Sequence, residues 1–401
     1  MIADAKKNGE VLTKGVEQIL PSKEGLARLM KKRKIRLYLG IDPTSPDLHL
    51  GHTIPLRKLK EFQDLGHEAI LLFGTFTAQI GDPSGRDEKR KPLTLAQIKK
   101  NMATYKKQAS KILDFVKVKI KYNADWLNKL NFSDLVKLAS HFTVSRLLER
   151  DMFQRRLKKG EEVWLNELLY PLMQGFDSVA MDVDLEIGST DQTFNMLVGR
   201  KLQSIYNKKE KFILTTPMLV GLDGRKMSKT YGNAVNLTDS PNQMYGKLMS
   251  LRDDLILRYF QLCTDLPLVE IKEIERKLKR KDLNPMEAKA RLAREIVSIY
   301  YGKKTSIKAE KEFEKVFKEK KLPTKIPEIK IKEKTLNILD LLVRTKLVQS
   351  KSEAKRLILQ KAVEINGILK EDWREIIEIK KGVVIKVGKR RFAKINPPPT
   401  C

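Results

Sequence analysis

Two apolar runs separated by an amphipathic segment constrain the fold of this chain more than any other feature. IRLYLGID at residues 35–42 and EAILLFGT at residues 68–75 have the length and composition of buried strands. Between them, Ile54, Leu59 and Phe62 recur at helical spacing. A strand, a helix and a second strand in this order predict the opening of a parallel α/β sheet, with a ligand at the strand ends.

The beginning of the predicted helix carries the sequence HLGH at residues 49–52. Backbone N–H groups and the helix dipole attract anions at such a position, and the rings of His49 and His52 add N–H donors. Gly51 has no Cβ that would keep a nucleotide away from the main chain. We therefore expect phosphate groups to bind at this helix start.

A second motif, KMSKT at residues 226–230, lies between two glycines and is predicted to form a mobile loop. Lys226 and Lys229 would bring positive charge to the same phosphates, which suits stabilisation of a transition state in phosphoryl or nucleotidyl transfer. Together, HLGH and KMSKT predict a site at which ATP is activated for attack by a carboxylate.

Composition limits the class of protein. The chain has 401 residues, too many for one ordinary core, and 80 Lys+Arg against 50 Asp+Glu give a formal net charge of +30. Such a charge suits nucleic acid as a partner, but a lysine-rich proteome would give the same excess, so both explanations stay open. Cys263 and Cys401 are too few for a disulfide framework or a structural zinc site. Because no apolar leader or run of about 20 apolar residues is present, we expect a soluble cytoplasmic protein.

Changes of pattern along the chain predict four segments. They are a sheet domain with a helical insertion at residues 1–235, a helical domain at 236–320, a lysine- and proline-rich linker at 321–334, and a compact α/β unit at 335–401. Further strands are expected at residues 115–122, 183–188 and 212–221, and helices at residues 95–115, 133–150, 166–180 and 191–206. In the last segment, Asn366-Gly367 predicts a tight hairpin turn.

Several blocks resemble those of bacterial-type tyrosyl-tRNA synthetases, which are class I aminoacyl-tRNA synthetases. HLGH and KMSKT are similar to the two signatures of that class, with Leu50 for the commoner isoleucine and Thr230 for the commoner serine. LYLGIDPT, FGTFTAQIGDPSG, YPLMQGFD and GSTDQTFN also resemble family blocks in the expected order, so the resemblance spans essentially the whole chain. It implies a Rossmann-like catalytic domain with a parallel sheet and a helical insertion, then an α-helical tRNA-binding domain and a small RNA-binding domain.

The resemblance also implies a pocket for tyrosine. Tyr38 matches the family tyrosine whose hydroxyl reaches the substrate phenol, and Asp177 matches the carboxylate that accepts from this phenol. A donor and an acceptor around one hydroxyl reject phenylalanine because both would be left unsatisfied, and tyrosyl-tRNA synthetases are the standard example of this logic. Tyr170, Gln174 and Asp82 match residues that hold the α-amino end of the substrate.

Other matched positions would contact further parts of the substrates. Gln192 matches an additional tyrosine contact, and Asp191 matches a contact to the ribose of ATP. Arg86 and Arg90 of the polar loop GDPSGRDEKRKP match positions that carry basic residues. The expected ATP-binding residues are Gly40, Asp42, His49, Gly51, His52, Asp191 and Lys229, and the expected catalytic residues are His49, His52, Lys226, Lys229, Arg86 and Arg90.

The implied chemistry is attack of the tyrosine carboxylate on the α-phosphate of ATP, which yields tyrosyl-adenylate and pyrophosphate. Tyrosine is then transferred to the 3′ end of tRNA(Tyr). The carboxylate is already ionised at neutral pH, so no side-chain nucleophile or general base is needed, and catalysis would come from positioning and charge stabilisation. Mg²⁺ would arrive with ATP, since no His/Cys cluster suggests a metal bound by the protein.

The C-terminal stretch resembles a small RNA-binding domain of the S-four type, with Ala362 where that family often has glycine. Residues 325–394 hold 19 Lys+Arg and 9 Asp+Glu, a surplus that suits phosphate contacts. Ser352 is expected to open a helix with a basic face. The expected RNA-binding residues are Lys351, Lys355 and Arg356.

Other functions remain open at this point. A non-catalytic RNA-binding paralogue would be expected to lack a signature lysine or histidine, and none is missing here. A nucleotidyltransferase for a small acid would not need the basic tail, and a tryptophanyl relative would not need Tyr38 paired with Asp177. The resemblance also implies a homodimer formed through apolar helices of the catalytic domain.

Overall fold

The computed structural model describes residues 9–84, 92–227, 231–317, 326–331, 333–380, 382–388 and 391–395. The chain divides into two compact units. The first comprises residues up to 239 together with residues 250–300, and the second comprises residues 240–249 together with those from 301 onwards.

A six-stranded sheet forms the centre of the first unit. Its strands are β1 (Gln18–Leu20), β2 (Arg36–Ile41), β3 (Glu68–Phe73), β4 (Lys119–Tyr122), β5 (Leu185–Ser189) and β6 (Phe212–Thr216). The spatial order is β1-β6-β5-β2-β3-β4, and all neighbours pair in parallel except β1, which is antiparallel to β6. Because β2 lies between β3 and β5, the winding of the chain reverses there and leaves a crevice at the carboxyl ends of the strands.

The helices follow the predicted pattern, with changed boundaries. They are α1 (Lys23–Lys32), α2 (Leu50–Asp64), α3 (Thr77–Ile80), α4 (Leu95–Ala109), α5 (Ala124–Leu127), α6 (Phe132–Ala139), α7 (Val144–Leu148), α8 (Asp151–Lys158), α9 (Leu165–Met181), α10 (Thr193–Asn207), α11 (Pro241–Leu248), α12 (Ile256–Cys263), α13 (Leu268–Lys279), α14 (Pro285–Tyr301), α15 (Lys303–Phe317), α16 (Ile338–Arg344) and α17 (Lys351–Leu359), with 3₁₀ turns at Thr190–Gln192 and Asp253–Leu255. In α2, Ile54, Leu59 and Phe62 are buried, as their spacing predicts.

Several predicted boundaries are wrong for local reasons. The strand expected at residues 212–221 stops at Thr216, because Pro217 has no N–H for the ladder. The helix expected at residues 133–150 is two helices, since the Thr143 side chain caps a new one by accepting from Arg146 N. The strand expected at residues 115–122 begins only at Lys119. Strand β1 was not predicted, because three residues show no periodicity.

The second unit contains a small β-rich core. The strands of this unit are β7 (Glu328–Ile329), β8 (Thr335–Asn337), β9 (Val363–Ile365), β10 (Ile368–Leu369), β11 (Ile376–Glu378), β12 (Val384–Val387) and β13 (Arg391–Ile395). They form a sheet in the order β10-β9-β12-β13-β7 and a separate β11-β8 pair. Buried residues between 331 and 395, including Leu341, Ile358 and Ile385, make one hydrophobic cluster.

Two turn predictions in this unit have different outcomes. Asn366 (φ 50°) and Gly367 (φ 80°) join β9 to β10, so the predicted tight hairpin is confirmed. The prediction that Ser352 opens α17 is wrong, because the helix is capped two residues earlier, where the Ser350 hydroxyl accepts from Glu353 N at 3.1 Å. Ser352 therefore lies in the first turn.

A buried ion pair fixes α8 against the start of α9 in the first unit. Arg156 contacts both carboxylate oxygens of Glu167, at 2.8 and 3.0 Å, and both side chains are at most 4% exposed. Glu167 Oε2 also accepts from Trp164 N at 3.0 Å. This bidentate geometry compensates for the cost of taking both charges out of water.

Glu167→Gln is expected to destabilise the first unit by about 3–5 kcal/mol, because it leaves a buried guanidinium without its countercharge. Asp64→Asn, which breaks the exposed pair with Lys60, is the matched control and is expected to cost less than about 1 kcal/mol. Urea unfolding followed by circular dichroism measures both. Equal and small shifts in the two variants would contradict the structural role of Arg156.

Candidate active site

A cavity lies at the carboxyl ends of β2 and β5, where the strand order reverses. Residues of β2, β5, α2 and α9 contribute to its walls. The structure brings ten of the predicted tyrosine- and ATP-binding residues together around it: Tyr38, Gly40, Asp42, Gly51, His52, Asp82, Tyr170, Gln174, Asp177 and Gln192.

Asp177 is a buried acceptor in the cavity wall. Trp126 Nε1 donates to its Oδ1 at 2.8 Å, and Asn123 Nδ2 donates to its Oδ2 at 3.3 Å. The carboxyl is 2% exposed, and this burial raises its pKa well above the usual range, although the two donors favour the charged form. The carboxyl oxygens of Asp177 lie in the wall of the cavity, where they can accept from a ligand hydroxyl.

Tyr38 lies on β2 with its hydroxyl 3.1 Å from Ser178 Oγ of α9. The side chain is fully buried, and burial, followed by the charges of Glu186 and Asp177, raises its pKa well above the usual range. The hydroxyl therefore stays protonated and can act as a donor. Behind Ser178, Lys211 Nζ donates to Ser178 Oγ at 2.7 Å and forms an ion pair with Glu186.

Asp42 and Tyr170 form a second polar group in the wall. Tyr170 Oη donates to Asp42 Oδ2 at 2.9 Å, and Thr77 Oγ1 donates to Asp42 Oδ1 at 2.7 Å. Gly74 allows this arrangement, since a Cβ there would lie 1.9 Å from Asp42 Oδ1. Because Tyr170 uses its proton on Asp42, its oxygen lone pairs are directed to other donors.

A third group joins the remaining predicted tyrosine-binding residues. Gln192 Nε2 donates to Asp82 Oδ2 at 2.8 Å, and Gln174 Nε2 donates to Glu186 Oε1 at 3.0 Å. Asn195 Nδ2 donates to the side-chain oxygens of Gln174 and Gln192, at 2.9 and 3.2 Å. These bonds fix the direction of both glutamine amides.

The HLGH signature occupies the start of α2, with His49 at the N-cap position. The backbone N–H of His49 donates to His52 Nδ1 at 3.1 Å, which assigns the proton of the neutral ring to Nε2. Burial lowers the pKa of His52 to about 4, so the ring is neutral at pH 7. His52 thus offers one N–H donor. A Cβ on Gly51 would lie 3.0 Å from the His49 ring.

The start of the KMSKT signature lies close to this helix. Backbone bonds from Leu50 N to Val235 O and from Leu237 N to Leu48 O tie the segment after the loop to the segment before α2. A Cβ on Gly51 would also be 3.9 Å from Met227 Sδ. The two signatures are therefore neighbours in space.

Three predicted residues do not line the cavity itself, although the ring centroid of His49 lies 3.8 Å from that of His52. His49, Asp191 and Lys226 are not among the residues lining the cavity. The Asp191 carboxylate accepts from the Ser189 hydroxyl. The backbone of Lys226 pairs with that of Val220 in an isolated antiparallel β-bridge. Arg86, Arg90 and Lys229 lie outside the described residues.

The predicted RNA-binding residues lie on α17, in the second unit. Lys351 pairs with Asp340 at 2.6 Å, and Lys355 Nζ lies 4.0 Å from the centre of the Trp373 ring. Arg356 is exposed. The helix therefore presents a basic surface, with one of its charges already compensated by a carboxylate.

Sequence reasoning missed several residues that shape the cavity. Asn123 and Trp126 carry no motif, and Ser178 reads as an ordinary helix residue next to Asp177. Glu186 and Lys211 give a weak signal, because each places a charge in or beside an apolar strand, where a charge requires a partner.

The described part of the chain contains no cluster of three or more His, Cys, Asp or Glu side chains that could hold a metal ion. Within the same residues, every helix is too short or too polar to cross a lipid bilayer.

The pH dependence of stability tests the state of His52. Between the pKa of about 4 in the fold and the ordinary 6.5, the unfolded chain binds more protons. The contribution of the neutral His52 ring to the free energy of unfolding is therefore fully present above pH 6.5 and is lost as the pH falls toward 4. We expect the urea midpoint to fall from pH 7 to pH 5, and to fall less in His52→Gln, with His141→Gln as the control. If the urea midpoint of His52→Gln falls with pH as much as that of the unaltered protein, the neutral state of the His52 ring is contradicted.

Comparisons with known proteins identify the family. The family described as tRNA synthetases class I (W and Y) matches residues 30–318, and the tyrosine–tRNA ligase SYY-like C-terminal domain matches residues 317–395. The tyrosine–tRNA ligase of Thermotoga maritima is 47% identical over 388 residues, 96% of both chains, and that of Moorella thermoacetica is 45% identical over 391 residues, 96% of this chain and 95% of that one. A C-terminally truncated mitochondrial tyrosyl-tRNA synthetase of Coccidioides posadasii superposes with a TM-score of 0.62 at 25% identity, over 77% of this chain and 91% of that one. The chain therefore belongs to the class I tRNA synthetases, among the bacterial-type tyrosyl enzymes.

Proposed function

We propose that this chain activates L-tyrosine with ATP to tyrosyl-adenylate and pyrophosphate, and then transfers tyrosine to the 3′ end of tRNA(Tyr). The observation that carries this proposal is the presence of a buried acceptor, Asp177, and a buried hydroxyl, Tyr38, in the wall of one cavity. Both groups face the position that the phenol of the substrate would occupy.

The phenol is recognised by two complementary bonds. Its O–H donates to the Asp177 carboxylate, which Trp126 and Asn123 hold in place, and its oxygen accepts from Tyr38. Phenylalanine would leave both partners unpaired in a buried site, so it is rejected. Indole has no group that can replace the phenol at both bonds, which disfavours tryptophan.

The α-ammonium group binds at the other polar groups of the cavity. Asp82 supplies a carboxylate whose oxygens are held by Ser84 N at 2.9 Å and by Gln192 Nε2 at 2.8 Å. The Tyr170 hydroxyl adds an acceptor, because its proton is already donated to Asp42. Gln174 provides a further oxygen whose direction is set by Asn195.

The phosphates of ATP bind at the start of α2. Backbone N–H groups and the Nε2–H of His52 donate to the phosphate oxygens, and the helix dipole attracts the negative charge. No proton is transferred in these contacts. His49 provides a further N–H donor at the same end, and Gly40 and Gly51 leave room for the nucleotide to approach the main chain. Asp42 and Asp191 bind polar groups of the nucleotide. Mg²⁺ arrives with ATP as part of the substrate.

Positive charge stabilises the departing pyrophosphate. Lys226 and Lys229 of the KMSKT signature supply it, and Arg86 and Arg90 of the polar loop assist. This assignment rests on the sequence signature and, for Lys226, on the proximity of Met227 to Gly51. The tyrosine carboxylate needs no base, so positioning and charge stabilisation provide the catalysis.

Assembly and RNA binding complete the proposal. Phe132, Val144 and Leu165 are large apolar side chains with 81%, 62% and 70% exposure, and a second copy of the chain would cover them in a homodimer. The α17 surface with Lys355 and Arg356 contacts the phosphates of tRNA(Tyr). As an enzyme of translation, the protein acts in the cytoplasm.

Amino-acid-dependent exchange of pyrophosphate into ATP tests the activation step. We expect exchange with tyrosine and with none of the other nineteen amino acids. Tyr38→Phe should cost tyrosine about 0.5–1.5 kcal/mol in kcat/KM, because one hydrogen bond to the phenol is lost. Tyr122→Phe, which changes an exposed tyrosine on β4, is the control. Exchange driven best by tryptophan or phenylalanine would refute the assignment.

Removing the tail tests the RNA-binding role. A chain that ends at residue 320 should activate tyrosine normally but charge tRNA very poorly, because the residues assigned to adenylate chemistry precede residue 231 and the segment after 330 has a core of its own. Binding of the full chain to tRNA should weaken steeply with salt, and the truncated chain should show a shallower slope.

Lys355→Ala/Arg356→Ala in the full chain is the matched variant, and each lost phosphate contact should reduce the salt slope by about one. Charging kinetics of the truncated chain equal to those of the full chain would show that the tail serves only solubility or stability.

A further inference from the structure

A buried arginine, Arg150, lies close to the Asp82 carboxylate of the cavity. Only 8% of the residue is exposed, and it forms no ion pair within the described residues. Its Nη1 is also buried and has no hydrogen-bond partner there. A cation in such a position costs the fold free energy unless it is paired. A role in the neighbouring site therefore explains Arg150 better than a contribution to stability does.

The guanidinium group is held in place by two aromatic rings and by the start of α8. Its Cζ lies 5.0 Å from the ring centre of Phe194 and 5.5 Å from that of Phe153, within the range of cation–π attraction. The backbone carbonyl of Arg150 accepts from Phe153 N at 2.9 Å and from Gln154 N at 3.0 Å. Arg150 is therefore a fixed donor and not a mobile surface charge.

This donor is directed at Ser84, which is bonded to Asp82. Arg150 Nη2 donates to Ser84 Oγ at 2.6 Å, and Ser84 N donates to Asp82 Oδ1 at 2.9 Å. Asn195 Nδ2 donates to Ser84 Oγ at 3.3 Å and to Gln192 Oε1 at 3.2 Å. Gln192 Nε2 donates in turn to Asp82 Oδ2 at 2.8 Å. Both oxygens of Asp82 thus depend on the position of Ser84.

The charge of Arg150 alone would oppose binding of an ammonium group at Asp82. Burial lowers the pKa of Arg150, and the charges of Asp82, Tyr170 and Asp191 act in the opposite direction. Arginine nevertheless stays protonated at pH 7, and two cations beside one carboxylate repel each other. A favourable effect of Arg150 on the substrate ammonium group therefore has to come from the direction in which Asp82 is held.

We propose that Arg150, acting through Ser84, is a positioning residue that holds the Asp82 carboxylate in the direction required by the α-ammonium group of the substrate. Through α8, it links the helical insertion to this end of the cavity. The inference deepens the proposed function and rests on it. It requires that Arg150 affect the binding of ligands that carry an ammonium group and leave other ligands unaffected.

Three ligands test this requirement. Tyrosine has both polar groups, tyramine keeps the ammonium group without the carboxylate, and desamino-tyrosine keeps the carboxylate without the ammonium group. Arg150→Met removes the donor and leaves no carboxylate of a buried ion pair without its partner. We expect it to weaken binding of tyrosine and tyramine about three- to tenfold, the effect of one impaired hydrogen bond, and to leave desamino-tyrosine unchanged. Isothermal titration calorimetry measures all three affinities.

A second variant reaches Asp82 without changing the guanidinium group. Ser84→Ala removes the acceptor of Arg150 but keeps the backbone N–H that donates to Asp82. It should weaken tyramine binding as Arg150→Met does, and Arg150→Met/Ser84→Ala should weaken it no further, because the two residues act in series. Arg146→Met is the matched control, since Arg146 pairs with Glu149 on the surface, and it should leave all three affinities unchanged.

The other outcomes overturn the inference in distinguishable ways. Equal weakening of all three ligands, or no change in any, would leave Arg150 a structural residue. Tighter binding of tyramine to Arg150→Met would show that the residue acts by its charge alone. A loss confined to tyrosine and desamino-tyrosine would place the substrate carboxylate at Arg150. Absence of tyrosine-dependent pyrophosphate exchange in the unaltered protein would instead remove the proposed function.

Discussion

Two buried carboxylates in the wall of the cavity, Asp177 of α9 and Glu186 of β5, impose the constraint on which the cavity depends. Each is 2% exposed, and an unpaired charge in such a position would cost several kcal/mol. Asp177 is satisfied by Trp126 and Asn123, and Glu186 by Lys211 and Gln174. Segments that are far apart in sequence are thereby held together around the cavity.

The two ends of the cavity differ in the polar groups that they present. Its buried end presents one strong acceptor and one hydroxyl, which match a phenol, whereas the start of α2 presents N–H donors, which match phosphate. In the proposed function, tyrosine with its phenol at Asp177 would extend its carboxylate toward the nucleotide. The proposed orientation of the reactants thus rests on the opposite polarities that the sheet and α2 place at the two ends of the cavity.

The sequence alone predicts much of this arrangement. The parallel strands and α2 follow from apolar runs and helical spacing, and ten of the residues that the resemblance to tyrosyl-tRNA synthetases implies for the site line one cavity. Boundaries that depend on one residue, such as Pro217 or the cap at Thr143, are missed by periodicity. The partner of Glu186 also escapes prediction, because Lys211 comes just before β6 and only the folded sheet brings the two charges together.

The most direct test of the central claim is a crystal structure of the full chain with L-tyrosine bound. We expect the phenol oxygen within about 2.6–3.2 Å of both an Asp177 oxygen and Tyr38 Oη, the usual range for hydrogen bonds, with the α-ammonium group at Asp82 and Tyr170. Tyrosine bound in the reverse orientation, with its phenol toward α2 and its ammonium group at Asp177, would contradict the account.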